Sequence, residues 1–218
     1  LYEKAAKQGL PKAQTNLGGM YYNGEGVEQD YIEALKWYQK AAEQGDACGQ
    51  AALGELYFMP LEVGIERNNK EALKWLTKAA QQGEHRAFLG MMYHAGIEVE
   101  QDVSMAIELY LKAAEKGDIL AFSLLGDTYY HGEGVEQDYE EALKWLKKAA
   151  DQDDPAAFNT LGYMYGNGEG VEQDDKEAVK WFRKSAEQDY APAQCNLGLM
   201  YLNGKGVEQD DKEAVKWF

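Results

Sequence analysis

Leu17-Gly18-Gly19-Met20-Tyr21 is the first of six copies of the block L-G-x-x-Y, which returns from Leu53, Leu89, Leu125, Leu161 and Leu197 at a constant spacing of 36 residues. A period of this order marks an array of one supersecondary unit whose apolar face can be covered only by its neighbours. Between these copies runs a second block, A-x-x-W, at Ala34/Trp37, Ala72/Trp75, Ala142/Trp145, Ala178/Trp181 and Ala214/Trp217, with Leu109 in the place of the tryptophan beside Ala106.

Both blocks space their apolar residues at i, i+3, i+4 and i+7, the pattern of a helix rather than a strand. The first helix of a repeat is expected to bury Ala13, Leu17, Met20 and Tyr21, or Ala157, Leu161, Met164 and Tyr165 further on. In the second helix Ala34, Leu35, Trp37, Tyr38, Ala41 and Ala42 form the covered face, while Glu33, Lys36, Lys40 and Glu43 face water. The recurring mid-helix glycine is less favourable than alanine by ~1 kcal/mol, so it needs a packing reason. The expectation is a close approach of the two helices, with the indole of the second lying across the gap.

Between the helices stands N-G-E-G-V-E-Q-D, at 23–30 and 167–174, with close variants at 131–138 and 203–210. Its glycines supply positive φ to end one helix and turn the chain. Its Asp reads as the N-cap of the next, with Glu three residues on to complete a capping box at Asp30/Glu33, Asp138/Glu141, Asp174/Glu177 and Asp210/Glu213. Asn68/Glu71 does the same in the second repeat. Gly45, Gly83 and Gly117 close second helices, a position that passes to Asp153 and Asp189. Two repeats depart from the pattern: the stretch 58–69 has two extra residues and Pro60, and Glu98 replaces the second loop glycine.

The 218 residues carry a formal charge of −16 and are 45% hydrophobic. Such a field repels nucleic acid and anionic membrane surfaces, which are bound through Lys and Arg clusters, and favours neutral or basic partners. No apolar run reaches the ~18–20 residues of a membrane span. Cys48 and Cys195 form neither a disulfide framework nor a zinc-ligand spacing. The acidic loops lack the alternating oxygen ligands and closing bidentate Glu of an EF-hand, so no metal and no cofactor is expected. His85, His94 and His131 recur in no constellation with a nucleophile, and no catalytic residue is assigned.

The series A-x-x-x-L-G-x-x-Y, G-x-G-V-x-x-D and A-x-x-W-x-x-x-A-A resembles the Sel1-like repeat family, a relative of the tetratricopeptide repeat, over essentially the whole chain. In that register one array covers 1–218, with a half repeat at 1–9, repeats at 10–45, 46–83, 84–117, 118–153 and 154–189, and a truncated one at 190–218. Both ends fall inside a repeat, so any signal peptide would lie outside this stretch. The resemblance implies an all-α, right-handed α/α solenoid of antiparallel helix pairs, and a role as a protein-interaction scaffold. Two alternatives stand beside that role. One is the penicillin-binding or weakly β-lactamase-like activity described for a cysteine-rich branch, whose disulfide in each repeat this chain lacks. The other, motivated by the half-helices at both ends rather than by the resemblance, is a self-associating structural solenoid joined end to end.

By analogy with tetratricopeptide repeats, the positions −3, +1, +4 and +5 from the glycine line a concave groove. The residues expected to contact a partner there are Tyr22, Asn23, Glu55, Phe58, Met91, His94, Asp127, Tyr130, His131, Asn159, Tyr163, Asn167 and Leu199. Tyr22, Phe58, His94 and Tyr130 share one register position as an aromatic row, with Glu55 and Asp127 adding negative charge. Such a surface suits an extended peptide or an amphipathic helix. The same rings would equally serve as packing against a neighbouring helix. On the first view, replacing Phe58 and Tyr130 together leaves the fold intact.

Overall fold

Helix follows helix along the chain with no strand among the described residues, which in this computed structural model are 2–59 and 64–218. Pro60 and residues 61–63, within the lengthened stretch 58–69, lie outside them. Two compact units meet in sequence at Ala113 and Ala114. The first contains α1 (Tyr2–Lys7), α2 (Pro11–Asn23), α3 (Tyr31–Glu43), α4 (Ala47–Phe58), α5 (Asn69–Gln81), α6 (Arg86–Ala95) and α7 (Val103–Ala114). The second contains α8 (Ile119–His131), α9 (Tyr139–Ala150), α10 (Pro155–Asn167), α11 (Asp175–Ala186), α12 (Ala191–Asn203) and α13 (Asp211–Trp217). In each unit consecutive helices pack in pairs, and first helices also touch each other, α2 on α4 and α8 on α10. This is the stacked α/α solenoid arrangement.

The mid-helix glycines do sit at close approaches, but the ring across the gap is not the indole. A Cβ on Gly18 would lie 2.6 Å from the Tyr38 ring, on Gly90 2.5 Å from Tyr110, and on Gly162 2.5 Å from Phe182. Leu76 and Leu146 fill the same place opposite Gly54 and Gly126. Each of these is the residue after the tryptophan position, about 100° further round the second helix. The tryptophan joins apolar residues of its own first helix and of the second helix before it: Trp37 clusters with Ala13 and Leu17 and with Ala6, and Trp75 with Leu53 and Leu56 and with Ala34, Tyr38 and Ala42. Lysines from the outer face lie over the indoles, Lys40 at 4.1 Å from the Trp37 ring centre and Lys148 at 4.1 Å from that of Trp145.

The loop is more constrained than its glycines alone require. Asp30, Asn68, Asp138, Asp174 and Asp210 each accept a bond from the backbone N–H three residues on, as N-caps do. The reciprocal half of the capping box is replaced. The N–H of Asp30 donates to the carbonyl of Tyr21 at 2.9 Å, and the same bond recurs from Asn68, Asp102, Asp138, Asp174 and Asp210 to the tyrosine of each L-G-x-x-Y block. With that donor satisfied, the glutamate turns to a lysine three residues later, as in Glu33–Lys36 and Glu141–Lys144, both at 2.8 Å. The preceding glutamine also has a fixed task. Gln29, Gln101, Gln137 and Gln173 donate to the last carbonyls of the first helix, at Tyr22, His94, Tyr130 and Gly166.

Left-handed backbone appears where the pattern requires it. Gly45, Gly83 and Gly117 have φ of 89°, 94° and 81°, and Asp153 and Asp189 adopt 60° and 59° in their place. Glu98 takes φ 59° where Gly26, Gly134, Gly170 and Gly206 stand in the other loops. The turn is therefore preserved with a residue that L-stereochemistry disfavours there.

Candidate functional site

In the first unit two of the expected surface residues, Tyr22 and Glu55, meet at a hollow of about 100 Å³ lined also by Tyr38, Ala52, Leu56 and Met59. Tyr22, near the end of α2, stands edge-on to Tyr31 at 5.2 Å. Glu55 enters from α4 with its Oε1 shut off from solvent and His85 Nδ1 against it. Burial raises both phenol hydroxyls, Tyr38 to about 12, with the Glu55 charge adding to each shift. Asn23 is exposed and donates to Glu25 at 3.0 Å.

Phe58 is not a surface residue. It is 8% exposed and belongs to a core cluster with Ala72, Leu76, Leu89 and Met92, its ring edge-on to Phe88 at 6.4 Å. The reading of Phe58 as part of an exposed aromatic row is corrected accordingly. The physical reason is its partner: Tyr22 and Tyr130 lean on Tyr31 and Tyr139 at the start of the next helix, whereas the helix after Phe58 starts at Asn69. With no ring to lean on, Phe58 turns toward α6. Met91 is half-buried against the same cluster, and His94 is half-buried with its ring 6.3 Å from Tyr110.

The second unit assembles the other expected residues into a polar ladder across α8, α10 and α12. Thr160 donates to Asp127 at 3.0 Å, Ser123 to Asp154 at 2.8 Å, Asn196 to Asn159 at 2.8 Å, and Tyr163 to Asn196 at 2.9 Å. Asn159 is buried by that bond, so it serves the ladder and is not a contact surface. Tyr130 donates to Glu169 at 2.6 Å, as Asn167 does at 3.2 Å, and the His131 ring bonds to the Asp127 carbonyl at 2.9 Å. Beside the ladder a hollow of about 190 Å³ brings together Tyr163, Asn167 and Leu199 with Gly166, Asn196, Asn203 and Lys205. Asn196 and Thr160, two residues before the glycine, lay outside the positions read as inner. Their only signal in the sequence is a polar side chain inside an apolar helical run.

Asp127 is the costly member of this set. Burial pushes its carboxyl above the usual range, while the Thr160 hydroxyl and the His131 charge pull it back. A carboxyl that binds its proton more tightly folded than unfolded loses stability as pH rises from about 3.9 through its raised value. Asp127→Asn keeps an acceptor for Thr160 and removes the charge. The variant is expected to melt above the wild type at pH 7, with the difference closing toward about pH 3. Parallel thermal melts at both ends of that range check the sign.

Among the described residues no three ligand-type side chains converge on a metal position, and no helix is long and apolar enough to cross a membrane. The fold has close counterparts. An uncharacterized protein of Neisseria meningitidis serogroup B is 29% identical over 156 residues, 57% of this chain and 33% of that protein. The crystal structure of a protective antigen of uropathogenic Escherichia coli matches 99% of this chain and 46% of its own at 36% identity, with a TM-score of 0.75. That of a Sel1 repeat protein from Oxalobacter formigenes matches 99% and 62% at 37% identity, with a TM-score of 0.77. The chain thus spans less than two thirds of each. The Sel1 repeat model matches at residues 1–10, 11–46, 49–84, 86–118, 123–154, 159–190 and 191–218. With the repeat register, the stacked helix pairs and these matches in agreement, the chain belongs to the Sel1 repeat family.

Proposed function

We propose that this chain is a non-catalytic adaptor, a scaffold that takes a neutral or basic segment of another protein on the face of its first helices. The observation that carries the reading is apolar surface left in water at equivalent first-helix positions. Tyr163 and Leu199, each one residue after the repeat glycine, are 41% and 42% exposed, whereas Phe158, Leu161, Met164 and Leu197 of the same two helices are buried. They lie beside asparagines able to bond a peptide backbone, and rigid aromatic and aliphatic anchors with a polar rim suit the capture of a segment. The net charge of −16 selects against acidic partners. Membership of a repeat family built for protein contacts supports the same view.

A displayed random-peptide library selected on the intact chain tests it. Peptides so obtained are expected to lose more than about tenfold in affinity, some 1.4 kcal/mol, to Tyr163→Ala combined with Leu199→Ala, measured by calorimetry. Lys180→Ala on the second-helix outer face serves as control and should leave affinity within about twofold. Equal affinity for the double variant and the wild type sinks the assignment to this face.

A further inference from the structure

The hollow between α2, α3 and α4 has a chemistry that the rest of the first-helix face does not share. Its floor carries one carboxylate, Glu55, with 24% of its side chain exposed. Its walls are the phenol rings of Tyr22 and Tyr38, the Leu56 side chain and the Met59 thioether, the last 43% exposed. The glycine pair of α2 makes the arrangement: the Tyr38 ring lies where a Cβ on Gly18 would be, and its hydroxyl emerges 3.7 Å from where a Cβ on Gly19 would stand. A larger residue at Gly18 would push the ring from its place, whereas a Cβ at Gly19 would only touch the hydroxyl.

We infer that this hollow is a cation pocket that receives one arginine or lysine side chain of the bound segment, its charged head on Glu55 and its methylene stem between Tyr22, Tyr38 and Met59. The inference rests on the adaptor reading for its biological partner but not for its chemistry. A slim apolar stem ending in a cation is the ligand whose parts match the walls and floor. An anion would meet Glu55 inside a chain of charge −16. A wholly apolar group would strip water from the carboxylate without replacing its bonds. A divalent metal needs several oxygen ligands, and the hollow offers a single carboxylate. The phenol faces add cation–π attraction, and Tyr38 and Tyr22 stay neutral donors because burial raises both hydroxyls. His85, which also touches Glu55 from the start of α6, competes for the same charge.

Agmatine, a guanidinium and an ammonium joined by four methylenes, is the probe, titrated into the full chain carrying 13C-labelled tyrosine. Saturable shifts are expected at the Tyr22 and Tyr38 ring signals, assigned by Tyr22→Phe and Tyr38→Phe. Glu55→Gln should raise the apparent Kd at least tenfold with melting retained, while Glu187→Gln, an exposed carboxylate in the second unit, should leave it unchanged. N-butylurea, neutral and of similar shape, should produce no saturable shift. Equal binding of agmatine and butylurea overturns the proposal, as does equal affinity in Glu55→Gln or saturation confined to other tyrosines. A chain that captures agmatine but selects no peptide upholds the pocket and sinks the adaptor reading. A chain that selects peptides but ignores agmatine does the reverse.

Discussion

Replacing Phe58 with alanine is expected to destabilise the first unit by about 3–5 kcal/mol, the usual loss for removing a buried aromatic ring. The side chain is 8% exposed, and its removal opens a void bounded by Leu76, Leu89, Met92 and Phe88, none of which can follow it without leaving its own contacts. Tyr130→Ala should cost much less, because that ring is half-buried and lies near the end of its helix. Denaturant unfolding of the two single variants separates them. An unchanged midpoint for Phe58→Ala would return Phe58 to the surface, in one row with the half-buried Tyr22, His94 and Tyr130.

Gly126→Leu is expected to cost about 1–3 kcal/mol through overpacking, at the upper end of that range. A Cβ there would stand 2.6 Å from both Leu146 Cγ and Cδ2, and 3.4 Å from the Leu146 backbone nitrogen, so a rotamer change relieves only part of the clash. Leu146 has no exposed surface toward which to move. The compensating pair Gly126→Leu with Leu146→Ala should recover part of the loss, giving a non-additive cycle of the kind that touching residues show. Additive losses, or a melt like that of the wild type, would mean that the helix separation is not set by this glycine.

These two variants mark where the sequence was legible and where it was not. The six-fold period exposes the helix pairs, the loop, the N-cap aspartates and the left-handed closing residues, because each depends on neighbours within a few residues along the chain. Asp30 and Asn68 cap as read, and Asp153 and Asp189 take the left-handed conformation that their alignment with Gly45 implies. The capping glutamate was misread for a reason one step further away. Its intended donor, the N–H of the cap residue, is taken by the carbonyl of a tyrosine nine residues earlier, or eleven for Asn68, and that bond exists only once the loop has folded back.

The candidate surfaces were legible as a register and illegible as exposure. Tyr163, Leu199 and Asn167 meet in one hollow and Tyr22 and Glu55 in another, as residues one, four or five places from a fixed glycine on stacked helices can. Asn159 at the same kind of position is buried by a bond from Asn196 on the next helix. Tyr38 enters its hollow from a second helix, which no rule for first-helix positions would include.

The sequence by itself determined that this chain is a stack of Sel1 helix pairs, which residues cap the second helices and which turn the chain out of them, because local spacing and backbone stereochemistry suffice for both. Only the tertiary structure decided that the residue after the tryptophan, and not its indole, meets the glycine, and that Phe58 is core while Tyr163 is surface. Side chains one position apart on a helix differ by about 100° in direction. What each meets in that direction belongs to the neighbouring helices, and no spacing along the chain records it.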